Sequence, residues 1–454
     1  MTPSTPSSPV VLWFRRDLRL TDHPAVLAAV DVARSTGRAV VPLFVVDEGL
    51  MATAGSNRRD YLVRTLEALT VALDGTLTLR RGRPEDVVAS VAAEVGASAV
   101  FATGDCTPYG RRRDARVAAS LSRKGRVLRL VGSPYAVPPG RVLSGTGARY
   151  QVFTPYLRAW AAHGWPAPTG RPVGASWAAA PSDVDRGELA PDPSTVSPLR
   201  DAVGEDAAAG LLDEFLAGPV AVYADDRDRP DRCGTSRLSA HLRFGTVHPR
   251  QVLARIPPGR SGDVFRSELA WREFCADVLW HRPRSAWEPV VPAGAYLRSD
   301  TGPAADVRFA AWTDGRTGFP LVDAGMRQLV AEGWMHNRVR MLTASFLVKD
   351  LHLDWRRGAA HFLALLVDGD VASNNYGWQW VAGTGPGAAP FHRVFSPDRQ
   401  AERFDPAGAY VARYVPEYGT PDYPPPMVDH AVERVEALAR WQEATATAAA
   451  AAGR

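Results

Sequence analysis

VVLWFRRDLRLTDHPAVLAAVDVARSTGRAVVPLFVV, residues 10–46, sets two short apolar runs on either side of a helical pattern. VVLWF (10–14) and VVPLFVV (40–46) are continuous, β-branched and aromatic, which reads as buried strand. Between them a helix starts around His23-Pro24, with Asp22 as its expected N-cap and Pro24 in its first turn. Strands joined by a helix pair in parallel, because that connection crosses over. The alternation continues outward. A helix runs through Tyr61, Leu62, Leu66 and Leu69, then LTLRRG (77–82), a helix ending near Gly96, AVFATG (99–104), a helix from about Arg112, and RVLRLVG (126–132). The expectation is an α/β domain over residues 9–135, a doubly wound parallel sheet with helices on both faces. Neither GxGxxG nor GxxxxGK[ST] follows any of these strands, which excludes an ordinary dinucleotide or P-loop domain.

Beyond this domain the pattern changes. WPAPTGRPVG (165–174) and LAPDPSTVSP (189–198) are rich in Pro, Gly and Ser, so 136–198 reads as an interdomain connection. From 199 to 440 the segments are helical, as in FRSELAWREFCADVLW (265–280) and VDAGMRQLVAEGW (322–334), giving an all-α second domain. EATATAAAAAGR closes the chain, and 441–454 is expected to be a disordered tail. At 454 residues the chain suffices for two or three domains.

Composition narrows the function classes. No apolar run reaches about 18 residues, so no membrane-spanning helix is expected. MTPSTPSSP has neither a basic nor an apolar segment of a secretory signal. Cys106, Cys233 and Cys275 form no CxxC pair, and no HExxH occurs. A reducing, cytoplasmic setting is therefore expected, with neither a disulfide framework nor a zinc site. Basic residues are almost all arginine, with lysine only at Lys124 and Lys349. That suits bidentate phosphate contact, and it equally suits codon bias in an Ala-, Gly- and Pro-rich proteome.

Tryptophan stands out, with 13 residues concentrated in the helical half. Trp271, Trp334, Trp355, Trp378 and Trp380 lie inside polar motifs. They read either as core or as flat surfaces for stacked bases and steps in an electron relay. Glu268 and Trp271 stand three apart on a helix, and Asn337 and Met341 four apart, so each pair shares a face. Asp368, Asp370 and Asn374 follow an apolar helix end. GTSRLS (234–239) offers hydroxyls and backbone N–H groups opening a helix, which suits a phosphate and also a plain N-cap.

WFRRDLRLTDHPAV, GTSRLSAHLRFG, ELAWREF, TGFPLVDAGMRQL, GWMHNRVRMLTASFLVKD, DWRRGA and DGDVASNNYGWQW occur in one order over residues ~10–400. Together they resemble the photolyase and cryptochrome family, nearest to its class I cyclobutane dimer photolyases. The resemblance implies an antenna domain followed by a helical FAD domain, acting as a monomer on DNA that carries cyclobutane pyrimidine dimers. It implies that the dimer is flipped out of the duplex and split by an electron from light-excited, reduced FAD. The positions implied for FAD contact are Tyr223, Thr235, Ser236, Arg237, Leu238, Ser239, Phe265, Arg272, Asp368, Asp370 and Asn374, with Asn374 facing flavin N5. Glu268 would hydrogen-bond the dimer, Trp271 and Trp380 pack against it, Asn337 read a pyrimidine edge and Met341 line the floor. Arg227, Arg338 and Arg393 fall where the family contacts the DNA backbone. The (6-4) photolyases carry histidines at the positions of Asn337 and Met341, which favours cyclobutane dimers here.

Two departures stand out. Trp378 and Trp355 match the inner and middle members of the family's three-tryptophan relay, but the third position is Gly302. Tyr296 and Trp287 are conceivable substitutes. The antenna site has TPYGRRRD (107–114), closer to the branch that binds 8-hydroxy-5-deazaflavin than to the folate branch, with Asp105, Tyr109 and Arg111 as candidate neighbours. A cryptochrome photoreceptor is the first alternative, and Asn374, Glu268 and Trp380 argue against it. A non-catalytic flavin-binding module is the second, and the complete lesion pocket argues against that.

Overall fold

The computed structural model describes residues 8–198, 200–387 and 393–452. Its first part alternates β1 (Val10–Phe14), α1 (Pro24–Ser35), β2 (Val40–Val46), α2 (Ser56–Ala72), β3 (Thr78–Arg81), α3 (Pro84–Glu94), β4 (Ala99–Ala102), α4 (Pro108–Ser122) and β5 (Val127–Leu130). All strands pair in parallel in the order β3-β2-β1-β4-β5. Val10 lies opposite Val40, and Ala99 opposite Val127. Alternate residues serve opposite faces. Val10, Leu12 and Phe14 pack on one side, Val11 and Trp13 on the other. Both faces are buried, which is why the strands are apolar without interruption. The doubly wound α/β expectation holds.

α1 starts one residue later than expected. His23 is the N-cap, its Nδ1 accepting from Val26 N–H at 3.3 Å. Asp22 has a positive φ of 52° and faces the helical part, where it accepts from Arg250 Nη2 at 2.7 Å and Thr169 N–H at 3.0 Å. A buried guanidinium is a stronger partner for a carboxylate than a helix N–H, so the tertiary contact takes the side chain.

The rest of the described chain is helical: α5 (Phe153–His163), α6 (Gly204–Ala217), α7 (Pro219–Asp226), α8 (Ser239–Phe244), α9 (Arg260–His281), α10 (Pro303–Thr313), α11 (Pro320–Glu332), α12 (Asn337–Ser345), α13 (Trp355–Leu365), α14 (Val371–Ala382) and α15 (His430–Ala452). α9 is the spine, packing on α5, α7 and α14. α5 lies within the stretch read as a connection and is tied down firmly. Glu273 of α9 accepts from Trp160 Nε1 at 2.6 Å and from the N–H groups of Ala136 and Val137. Burial pushes the Glu273 carboxyl up to about 7, against these donors.

The C-terminal end differs from expectation. Residues 441–452, read as disordered, continue α15. Alanine is the best helix former, and Ala437, Arg440 and Ala444 are buried. Arg440 reaches Asp300 at 2.6 Å, and Glu433 meets His352 at 2.7 Å. Low complexity here serves a docked helix. No single helix among the described residues is long and apolar enough to cross a membrane.

Candidate functional site

α14 carries the centre of the site. Asp370 is its N-cap, accepting from Ala372 N–H at 3.0 Å and Ser373 N–H at 3.2 Å. Its other oxygen meets Arg16 Nη2, from the end of β1, at 2.8 Å, with Arg243 at 3.9 Å. Burial opposes ionisation of Asp370, but Arg16, Arg243 and Arg272 outweigh it and hold the carboxyl below the usual range. Asp368 is gripped by Arg340 of α12 through two bonds, at 3.2 and 2.9 Å. Asn374 donates its amide hydrogens to Ala359 O at 3.2 Å and Asn375 Oδ1 at 2.8 Å, which turns its own oxygen into the open acceptor.

Gly377 leaves one face of α14 unpacked by the described residues. It sits mid-helix between buried Tyr376 and Trp378, yet it is exposed, and a β-carbon there would meet nothing within 4 Å. Glycine costs a helix interior about 1 kcal/mol relative to alanine. The residues read as cofactor contacts combine the hydroxyls of Thr235, Ser236 and Ser239 with carboxylates and arginines. That chemistry suits a cofactor with both a diphosphate and a polar ring. Ser239 opens α8 and accepts from Trp334 Nε1 at 3.3 Å.

The other residues read as cofactor contacts divide. Arg272 donates to Pro134 O and Leu242 O, which ties the two halves together beside Asp370. Tyr223 and Phe265 are buried as an edge-on pair 5.2 Å apart. Leu238 is core, and Arg237 turns away to Glu332 at 3.0 Å and over Trp334. These last two have only backbone to offer.

The residues read as the lesion pocket lie on α9, α12 and α14, and α14 packs on both of the others. Trp271 is half-buried, one face stacked on Phe153 at 3.6 Å. Trp380 is half-buried between the apolar cluster that holds Trp271 and the one that holds Met341. Asn337 is exposed at the first turn of α12 and Met341 half-buried one turn on. Glu268 Oε1 meets Arg227 Nη1 at 2.7 Å, and Arg338 Nη2 meets Asp228 Oδ2 at 2.7 Å. Burial raises the Glu268 carboxyl, against the pull of Arg227. Arg393 is exposed, its carbonyl accepting from Lys349 Nζ at 2.9 Å.

The two tryptophans read as relay members, Trp355 and Trp378, are both buried. The Trp378 ring packs on Phe362 at 5.0 Å and Trp312 at 6.1 Å. Trp355 lies one turn before Gly358 on α13, and its Nε1 has no hydrogen-bond partner among the described residues. It lines a cleft of about 90 Å³ with Ala295, Leu297, His352 and Arg356. Both suggested substitutes flank it: Tyr296 lies between two lining residues, and the Trp287 carbonyl accepts from Arg356 Nε at 2.7 Å. Gly302 caps α10 with open space around it.

At the other end of the molecule, the sheet order reverses between β1 and β4, the place where open α/β sheets bind ligands. Asp105 follows β4 and pairs with Arg113 at 3.0 Å, and Tyr109 donates to Asp47 Oδ2 at 2.5 Å. Arg111 lies 3.9 Å over the Trp280 ring of α9. Sequence reading missed Arg16, Arg243, Arg340, Asp228 and Trp312. Arg16 and Arg340 stand inside quoted motifs, and Asp228 adjoins Arg227, but only the fold shows what each one faces.

Comparison with known proteins agrees with this geometry. Residues 265–420 match the family described as the FAD binding domain of DNA photolyase, and residues 10–173 the family described as DNA photolyase. Curated relatives named deoxyribodipyrimidine photo-lyase include one from Streptomyces griseus, 41% identical over 96% of this chain and 99% of the relative. Another, from Escherichia coli, is 36% identical over 96% of this chain and 98% of its own length. A class III photolyase from Agrobacterium tumefaciens superposes with a TM-score of 0.88 at 34% identity, over 98% of this chain and 99% of that one. The likeness drawn from class I motifs thus extends to a class III enzyme. An archaeal photolyase from Sulfolobus tokodaii, solved with two FAD molecules, gives 0.81 at 26% identity over 96% of this chain and all of the other. Two family matches over both halves and near-full-length relatives at 36% and 41% identity converge with the paired arginines and carboxylates around α14, and the chain belongs to the DNA photolyase family.

Proposed function

We propose that this chain is a light-driven DNA repair enzyme that takes cyclobutane pyrimidine dimers, flipped out of the duplex, and splits them by electron transfer. The observation that carries the reading is the open face of α14 at Gly377, with Asn374 on the same helix and Glu268, Trp271, Asn337, Met341 and Trp380 gathered on the adjoining elements. Reduced FAD, when bound, supplies the electron that light mobilises. Asn374, Asp368, Asp370 and Arg272 would hold it, with Thr235, Ser236 and Ser239 toward its diphosphate. A neutral amide at Asn374 presents an acceptor without adding a charge beside an anionic ring. The exposed faces of Trp271 and Trp380 suit a flipped, saturated pyrimidine pair, which an aromatic slot desolvates. Asn337 offers an amide to a pyrimidine edge, and Arg227, Arg338 and Arg393 suit backbone phosphates, making affinity salt-dependent. A second, light-gathering chromophore would sit at the β1/β4 end near Asp105, Tyr109 and Arg111, and 8-hydroxy-5-deazaflavin is favoured by TPYGRRRD. The protein would act as a cytoplasmic monomer.

The test uses the purified, flavin-reduced chain and an oligonucleotide with one thymine dimer. Thymines should be restored under near-UV to blue light and not in the dark. Flavin and oligonucleotide both bound, with nothing restored in light, would overturn the catalytic reading and favour a photoreceptor. Absorption and mass of the released chromophores identify the second one.

A further inference from the structure

Four charged side chains alternate across the mouth of the lesion pocket. Glu268 of α9 pairs with Arg227 at 2.7 Å, and Arg227 Nε lies 3.9 Å from Asp228 Oδ1. Asp228 in turn pairs with Arg338 of α12 at 2.7 Å. The chain joins the end of α7, the middle of α9 and the start of α12, and its net charge is zero. The two arginines suited to phosphate are therefore already committed to carboxylates in the free protein.

Phosphate and carboxylate compete for the same guanidinium fork. An arginine that turns to a phosphate leaves its carboxylate unpaired, with a second negative charge brought close. Both changes favour protonation of that carboxylate. The two acids differ in what happens next. Asp228 is the more exposed, at 34%, and stays on the wet rim. Glu268 stands three residues before Trp271 on the same helix face, where a bound dimer covers it. An isolated carboxylate covered by an apolar ligand is costly, and it neutralises instead.

The groups that face Glu268 leave little to compensate. α7 presents Tyr223 and Arg227, the turn after it Asp228, and α9 itself Cys275. Among the described residues, no charged group of α5 or α14 acts on it. Arg227 is the one cation, and it is the group that leaves. Burial already raises this carboxyl in the free protein.

We propose that lesion binding is a counter-ion exchange: Arg227 and Arg338 pass from Glu268 and Asp228 to DNA phosphates, and Glu268 takes up a proton from solvent. It then meets the dimer as a neutral acid, able to donate a hydrogen bond to a pyrimidine carbonyl. This rests on the proposed repair function. The balance is one proton taken from buffer per complex, with no redox change. Affinity for the lesion therefore falls as pH rises through the raised value of the bound state.

Calorimetric titration of the FAD-loaded full chain in the dark tests it, in two buffers of different ionisation enthalpy at mildly acidic pH. The dimer oligonucleotide should take up about one proton per complex, and the undamaged strand far less, since nothing then covers Glu268. Glu268→Gln should bind the dimer with no uptake and a flat pH profile. Asp228→Asn leaves Arg338 without its carboxylate and should tighten binding to undamaged DNA several-fold. Equal heats in both buffers, or uptake that persists in Glu268→Gln, would overturn the exchange while leaving repair intact. No preference for the dimer strand in the dark overturns the repair reading and the exchange with it.

Discussion

The indole of Trp378 rests on Gly358. A β-carbon at Gly358 would lie 2.1 Å from Trp378 Cη2 and 2.6 Å from Leu347 Cδ2. The absence of a side chain on α13 is what lets α14 place this tryptophan in the core.

Gly358→Ala should therefore displace Trp378 and cost about 1–3 kcal/mol by overpacking, read as a lower denaturation midpoint. Light-driven reduction of oxidised flavin should slow, while repair by flavin reduced chemically beforehand is kept. Unchanged photoreduction kinetics would disconnect Trp378 from the relay.

Trp312 and Trp355 share the apolar cluster that holds Trp378, and they differ in what their N–H groups meet. Trp312 is fully buried and donates to Thr343 O at 3.1 Å, a carbonyl that cannot take a proton. Trp355 Nε1 has no partner among the described residues and its ring borders an open cleft. An oxidised indole is held longest where it can lose its proton, so Trp355→Phe should abolish flavin photoreduction and Trp312→Phe should leave most of it. Transient absorption on the two variants decides, and the reverse order would move the relay to Trp312.

The strands were legible because a buried parallel sheet needs uninterrupted apolar runs, and VVLWF and VVPLFVV are such runs. Pairs on one helix were legible too: Glu268 with Trp271 and Asn337 with Met341 depend only on helical periodicity. What the sequence hid depends on long-range partners. Asp22 caps nothing because Arg250, 228 residues away, takes its carboxylate. Asp370 needs Arg16 from just beyond β1, and the helix that carries the alanine-rich end is docked in part by Arg440 on Asp300 and Glu433 on His352. Such pairings have no local signature.

Asn374 is an amide that uses both of its hydrogens. In Asn374→Asp the oxygens of Ala359 and Asn375 lose a donor, and a negative charge is added beside the cofactor cleft. A loss of about 1–3 kcal/mol in stability is expected. The flavin should also become harder to hold fully reduced. Spectroelectrochemical titration should show a lower potential, and an unchanged potential would detach Asn374 from the ring.

α15 is held in part by His430, whose Nδ1 bonds Asp350 Oδ1. The hydrogen bond to Asp350 raises the His430 value above its ordinary 6.5. A raised histidine stabilises fully below the unfolded value, and that stabilisation is lost as pH rises through the folded one. The melting temperature should fall from about pH 6.5 upward across this step, and His430→Gln should flatten that part of the profile. A His430→Gln curve parallel to that of the parent chain would place the pH dependence elsewhere.

Gly377 separates the fold from the cofactor. With no atom of the described residues within 4 Å of its missing β-carbon, a side chain can start there without a clash, and a helix interior gains about 1 kcal/mol when glycine is replaced by a good helix former. Gly377→Leu should therefore leave the flavin-free chain as stable as the parent or slightly more so, while filling the face on which the ligand lies. Flavin content after purification should drop sharply, with circular dichroism and the apo melting temperature preserved. Destabilisation of the apo chain would mean that the face is packed by protein. Full flavin content in Gly377→Leu would move the cofactor off α14, and the lesion residues grouped around that helix would then need another partner.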